Sequence, residues 1–134
     1  MSMNIITTVS FDRKSSLIRV PVTVKKSNEI LRYEFAVDTG STVTMIDSDV
    51  MLQMGYSKAN SIGTTHTLTA SKPETVYEFQ IDNIMALGLI RRNFKVISRS
   101  LPLGLGIDGL LGLNFFRNQE LIIDFKLSEI RINT

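Results

Sequence analysis

The 134-residue sequence contains no cysteine and only one histidine, His66. The lack of cysteine excludes disulfide bonds, zinc–thiolate sites and thiol nucleophiles. A single histidine also excludes a multi-histidine metal site built within one chain. We therefore expect that the protein uses neither a metal ion nor another cofactor.

The sequence also lacks a strong charge of one sign and a long apolar run. Its 15 basic and 13 acidic residues give a net charge of +2, which is too small to indicate a nucleic-acid partner. No apolar run approaches the roughly 20 residues of a membrane span. The first 16 residues are too polar for a signal peptide, so the cytoplasm is the expected compartment by default.

The remaining composition is that of an ordinary globular protein, with 43% hydrophobic and 21% charged residues. The length predicts one domain covering residues 1–134. Short β-branched segments recur between turn-forming residues, and two segments, 47–54 and 113–118, are predicted to be short helices. The predicted strands are 4–9, 17–24, 30–37, 43–46, 65–70, 74–81, 84–90, 94–97, 121–125 and 130–132. This pattern indicates an all-β fold, closed or sandwich-like.

Two features of the sequence do not indicate a ligand-binding site. Residues 101–112 formally contain a GxGxxG pattern, but Pro102 interrupts the strand that a dinucleotide-binding loop requires, so we reject that interpretation. The basic residues between 91 and 99 are predicted to form a solvated strand face. They are Arg91, Arg92, Lys95 and Arg99.

One segment of the sequence is a stronger candidate for a catalytic site than the others. The apolar segment 35–37 leads directly into Asp38-Thr39-Gly40-Ser41. A buried strand would hold such a carboxylate rigidly, while Gly40 permits a sharp turn and the hydroxyls can donate hydrogen bonds. The same four residues also make a good plain turn. On these residues alone, both interpretations stay open.

A second motif lies near the C-terminus, in Asp108-Gly109-Leu110-Leu111-Gly112 with Phe115-Phe116 after it. Together the two motifs resemble the retropepsin-like branch of the aspartic proteases, in particular its bacterial and archaeal members, over residues 17–132. The resemblance implies a small closed β-barrel-like fold with a flap hairpin and one or two short helices.

The resemblance also implies a homodimer and a catalytic role for Asp38. The family uses two Asp-Thr-Gly loops, whereas this chain has one, so the second carboxylate must come from a partner chain. By the same resemblance, Thr39 would lock the two loops together, Gly40 would form the turn and Ser41 would hydrogen-bond the carboxylates. Two residues would pack behind the loop: Leu111, and Gly112 where the approach is closest.

The resemblance places the flap at about residues 66–77, with its tip at Ala70-Ser71-Lys72-Pro73 instead of the usual glycines. Substrate contacts are expected from Ala36, Val43, Ala70, Ser71, Ile107 and Leu110, which would favour apolar residues around the cut bond. Retroviral members have an ion pair where this chain has Thr42 and Leu113, so dimerisation must use other contacts, such as the N-terminal strand or residues 121–132.

Two functions are consistent with these patterns. The first is a homodimeric aspartic endopeptidase that acts on a peptide or protein substrate through a water molecule activated between two Asp38 carboxylates. The second is a catalytically silent module of the same fold, used for dimerisation or peptide binding. The intact Asp38-Thr39-Gly40-Ser41 favours the first, since a binding module does not need that carboxylate.

Overall fold

The computed structural model describes residues 5–68, 73–102 and 104–133, and only the backbone of residues 5, 6, 67 and 68. The helical elements are α1 (Ser48–Gln53) and two 3-10 turns (Lys58–Asn60 and Leu113–Phe115). The strands are β1 (Ile5–Ser10), β2 (Arg19–Lys26), β3 (Glu29–Val37), β4 (Met45–Asp47), β5 (Gly63–Leu68), β6 (Pro73–Ala86), β7 (Leu89–Arg99), β8 (Gly109–Leu111), β9 (Glu120–Asp124) and β10 (Glu129–Asn133). The all-β prediction is confirmed.

Six strands close into a barrel in the order β2-β3-β8-β4-β7-β6, because β6 also pairs with β2. Two of the pairings are parallel, β3 with β8 and β4 with β7. Strand β5 is attached to the outside of this ring through β6. A separate three-stranded sheet has the order β1-β10-β9. The predicted closed barrel is therefore confirmed.

The barrel core follows from the alternation of β-branched residues along the strands. In β2 the side chains of Val20, Val22 and Val24 are fully buried, and the residues between them face outward. Phe35 on the neighbouring strand β3 and Ile46 on β4, across the barrel from β2, are buried in the same interior. The two strands that flank the Asp38 segment are thus anchored in the core.

The predicted helix over residues 47–54 is confirmed. Asp47 caps it, because its carboxylate accepts a hydrogen bond from the Asp49 amide at 3.1 Å. Gly55 follows the last turn with φ of +89°, a conformation that favours glycine. The second predicted helix is shorter than expected, a single 3-10 turn at residues 113–115.

The prediction of one strand over residues 84–90 is wrong. The chain reverses at Leu87 and Gly88, which both have positive φ (53° and 74°), and this tight turn joins β6 to β7. Leu87 is a poor turn residue by type, and its side chain is buried in the core. Burial of the leucine therefore accompanies a conformation that the sequence did not indicate.

The prediction of a solvated basic face is wrong for Arg91. Its guanidinium donates to the Phe115 carbonyl at 2.9 Å and to the Arg117 carbonyl at 2.8 Å. It therefore ties β7 to the segment that follows β8. Arg92 is exposed, as predicted.

In the described part of the chain, the helices are all too short or too polar to cross a membrane.

The core predicts that truncating two side chains on β3 will have very different effects on stability. Phe35 is fully buried, whereas Ile30 is 54% exposed. We expect Phe35→Ala to lower the free energy of unfolding by about 3–5 kcal/mol, because it leaves a cavity. Ile30→Ala, the matched control, should change it by less than about 1 kcal/mol. Urea denaturation measures both, and equal losses would contradict this description of the core.

Candidate active site

Asp38 is held by the parallel pairing of two barrel strands. Strand β3 pairs with β8 so that Val37 lies opposite Leu111, and the Asp38 amide donates to the Leu111 carbonyl at 2.9 Å. The Asp38 carboxylate accepts a hydrogen bond from the Gly40 amide at 3.0 Å. Asp38 itself is half-buried, while Thr39 and Gly40 are exposed. The acid thus stands at the rim of a rigid strand pair.

Residues 38–43 form a loop, which we call the Asp38 loop, and it packs against the turn that follows β8. The Ser41 carbonyl accepts a hydrogen bond from the Leu113 amide at 2.8 Å, and the Thr42 carbonyl accepts one from the Asn114 amide at 3.3 Å. The Ser41 hydroxyl donates to the Val43 carbonyl at 2.7 Å. In this chain Ser41 therefore supports its own loop, and the hydrogen bond to a carboxylate expected from the resemblance stays a prediction.

Gly112 is required by the closeness of these two segments. A Cβ atom at this position would lie 2.6 Å from the Val43 carbonyl carbon and 2.8 Å from the Ser41 carbonyl oxygen. Both distances are far shorter than a normal contact, and both atoms belong to backbone that cannot move independently. Gly112 thus allows the two segments to lie close together, and its role in supporting the Asp38 loop stays a prediction.

A side-chain network that the sequence analysis missed fixes the same turn. The Asn114 carboxamide oxygen accepts hydrogen bonds from the Thr44 amide and hydroxyl, each at 2.8 Å. Its nitrogen donates to the Lys95 carbonyl at 2.8 Å. The Thr44 hydroxyl, which is fully buried, also accepts from the Gly112 amide at 3.1 Å. Since Thr44 and Asn114 lie 70 residues apart, no local pattern could have indicated this network.

The remaining predicted site residues that the structure describes differ in how deeply they are buried. Leu111 is fully buried and packs in the barrel core. Ala36 is also buried, at 2% exposure, and pairs with the half-buried Leu110. Ile107 is half-buried ahead of β8. Ala70 and Ser71 lie outside the described residues. The packing role of Leu111 behind the loop and the substrate-binding role of the other positions stay predictions.

The loop that carries Ile107 is held by an arginine that the sequence analysis did not single out. The Arg19 guanidinium donates to the carbonyls of Leu105 (2.6 Å) and Gly106 (2.8 Å), and it pairs with Glu34 at 3.2 Å. Asp108 accepts a hydrogen bond from the Glu34 amide at 2.9 Å. The loop is therefore tied to β3, the strand that leads into Asp38, and to its neighbour β2.

Asp124, the last residue of β9, has a structural role. Its carboxylate accepts hydrogen bonds from the Leu127 and Lys126 amides, each at 2.9 Å, and contacts Arg131. The amide of Leu127 is the main cause that lowers the pKa of Asp124 below its usual value. These contacts favour the ionised form of the carboxylate and fix the turn between β9 and β10.

A cleft opens beside the Asp38 loop, with a volume of about 300 Å³. We call it the side cleft. Its walls are formed by Gly40, Ser41, Thr42, Val43, Met45, Thr65, His66, Glu78, Lys95 and Ile97. Of the predicted substrate contacts, Val43 is among them. His66 and Lys95 were not predicted to lie here, because their position depends on the register of β5, β6 and β7.

Residues 5–68, 73–102 and 104–133 contain no group of three acidic or histidine side chains that could hold a metal ion.

Comparison with solved structures reveals the same fold in a known protease. A retropepsin-like aspartic protease from Rickettsia conorii superposes with a TM-score of 0.74 and 18% sequence identity, covering 98% of this chain and 93% of that one. No curated protein sequence matches.

The sequence also matches a family model, described as aspartyl protease, over residues 20–115. The chain therefore belongs to the aspartyl protease family, with a retropepsin-like fold. This confirms the resemblance inferred from the Asp38 loop and the Gly109–Gly112 segment, and it places the protein among the peptidases.

The close contact at Gly112 predicts that a methyl group added there destabilises the protein. Gly63 provides a control in the same chain. Gly112→Ala should lower the free energy of unfolding by about 1–3 kcal/mol or more, because the added methyl group overlaps the Ser41–Val43 backbone. Gly63→Ala places its Cβ 3.6 Å from the nearest atom, an ordinary contact, and should cost less than about 1 kcal/mol. Thermal unfolding of the two variants measures the difference. Equal tolerance of both would show that the loops are not in rigid contact.

Proposed function

We propose that the protein is a homodimeric aspartic endopeptidase in which the Asp38 carboxylates of two chains activate one water molecule. The observation that carries the proposal is the Asp38 loop itself. It presents a half-buried acid with exposed Thr39 and Gly40 at the end of a rigid strand pair. Membership of the aspartyl protease family supports the assignment to peptide-bond hydrolysis.

The proposed chemistry requires two carboxylates close together. Such a pair cannot easily ionise twice, so it shares one proton and titrates as a unit. The ionised member accepts a proton from the water as the water attacks the peptide carbonyl, and the protonated member donates to the developing oxyanion or the leaving amine. Neither Asp108 nor Asp124 is followed by Thr-Gly, which supports a partner chain as the source of the second acid.

The surfaces around Asp38 are compatible with a dimer. Exposed Thr39 would contact its counterpart, as the family resemblance implies. Thr42 and Leu113, which replace the retroviral ion pair, are linked to the neighbouring segment through their backbone instead. The β1-β10-β9 sheet leaves β1 and β9 at its edges within the described chain. These edge strands are candidates for pairing between the two subunits.

The β5–β6 hairpin is proposed to act as the flap over the substrate. It extends from the barrel through six pairs, from Gly63 opposite Glu78 to Leu68 opposite Pro73. His66 and Thr65 on β5 face the side cleft next to the Asp38 loop. Closure of such a hairpin would exclude water from the reacting peptide.

The test is hydrolysis of an unfolded protein substrate between acidic and neutral pH, by the wild type and by Asp38→Asn. We expect wild-type cleavage that disappears in the variant, since the amide cannot accept the proton from water. The rate should rise faster than linearly with enzyme concentration wherever the dimer is partly dissociated.

Circular dichroism and sedimentation show whether the Asp38→Asn protein keeps its fold and its assembly state. Activity that persists in a folded Asp38→Asn protein would refute the proposal. If both proteins are folded, dimeric and inert, the chain is instead a silent module of the same fold.

A further inference from the structure

The side cleft has a charged wall, whereas the substrate contacts expected from the sequence are apolar. Lys95 on β7 and Glu78 on β6 form an ion pair at 3.3 Å between the ammonium nitrogen and a carboxylate oxygen. Both residues line the cleft together with Thr42 and Val43 of the Asp38 loop. A ligand side chain in this cleft would therefore contact both the Asp38 loop and a charged pair.

The two members of the ion pair are not equally accessible. The Glu78 side chain is 17% exposed, whereas that of Lys95 is 51% exposed. The carboxylate thus lies deeper and is already neutralised by the ammonium group. His66 adds a second nitrogen-bearing group on β5, with Nδ1 at 3.2 Å from the Thr75 hydroxyl. An incoming side chain consequently meets Lys95 before it meets Glu78.

The rest of the cleft wall is mixed in character. Met45 and Val43 are half-buried, and Ile97 is 4% exposed, so they provide an apolar surface. Thr42 and Thr65 contribute hydroxyl groups on the same wall. A ligand side chain with an aliphatic stem and a polar end would match both parts of this lining.

We propose that Lys95 is a specificity-determining residue, and that the side cleft accepts a substrate side chain with an aliphatic stem and a terminal carboxylate or amide. Glutamate and glutamine have this chemistry. The ammonium group of Lys95 would attract either one, whereas a substrate lysine or arginine would have to displace Lys95 to reach Glu78. The proposal rests on the endopeptidase function insofar as the ligand is a peptide that is cut.

The test is cleavage-site profiling with a mixture of proteome-derived peptides, which requires no assumption about the substrate position. Three variants are compared with the wild type: Lys95→Glu, the exchanged pair Glu78→Lys with Lys95→Glu, and the control Lys126→Glu. Lys95→Glu places two carboxylates side by side, which could prevent this variant from folding. The exchanged variant keeps an ion pair, so its cleavage profile can still be measured in that case. Lys126 is exposed on the β9–β10 turn, so its variant makes the same charge change away from the cleft.

We expect the wild type to enrich glutamate and glutamine over lysine and arginine at one position near the cut bond. The enrichment should be about threefold or more, the size expected of one partly exposed ion pair. Lys95→Glu or the exchanged pair should reverse the preference towards lysine and arginine, while Lys126→Glu should not. An unchanged profile in both cleft variants, or a wild-type profile without an acidic or amide preference, would overturn the proposal.

Failure of the endopeptidase function is recognised separately, as the absence of cleavage by a folded wild type. In that case fluorescence anisotropy measures binding of labelled apolar octapeptides that carry glutamate or lysine at each position in turn. A glutamate preference of the wild type that reverses in the cleft variants supports the assignment of Lys95. Equal binding of the two peptide sets, or no binding of either, overturns it.

Discussion

The structure depends on the contact between the Asp38 loop and the turn at Gly112. The two segments come so close that a methyl group at Gly112 would overlap the backbone of Ser41 and Val43. Backbone hydrogen bonds from Leu113 and Asn114 to the Asp38 loop cross the same contact. A carboxylate on an isolated loop would move freely, and it is this contact that gives Asp38 a fixed position.

The barrel explains why the contact forms at all. Strand β8 lies between β3 and β4, pairing in parallel with one and antiparallel with the other. It therefore holds the chain on both sides of the Asp38 loop at once. Gly109 within β8 is also tightly enclosed, since a Cβ there would lie 2.6 Å from both the Met45 carbonyl and the Phe35 ring. Both glycines of the Asp-Gly-Leu-Leu-Gly segment thus allow neighbouring backbone to pack closely around the segment that carries Asp38.

Much of this arrangement could be predicted from the sequence, because its signals are local. Alternating β-branched residues in β2 predicted a strand, and the helix predicted over residues 47–54 corresponds to α1. The Asp38-Thr39-Gly40-Ser41 motif predicted the position of the acid.

The features that were missed depend on residues far apart in the chain. The Thr44–Asn114 network joins residues separated by 70 positions, and the Arg19 contact with Gly106 spans 87. The reversal at Leu87 was missed because leucine rarely adopts a positive φ and is here buried. The placement of Lys95 and His66 on the side cleft depends on strand register, which a single sequence does not determine.

The central claim is that one active site is built from two copies of Asp38, and mixing experiments test it most directly. Wild type and folded Asp38→Asn are allowed to exchange subunits at a fixed total chain concentration, and cleavage is measured as the wild-type fraction falls. If each site needs two intact chains, activity falls as the square of that fraction, to about a quarter in an equal mixture. Activity that falls only in proportion to the wild-type fraction would contradict the account, since each chain would then act alone.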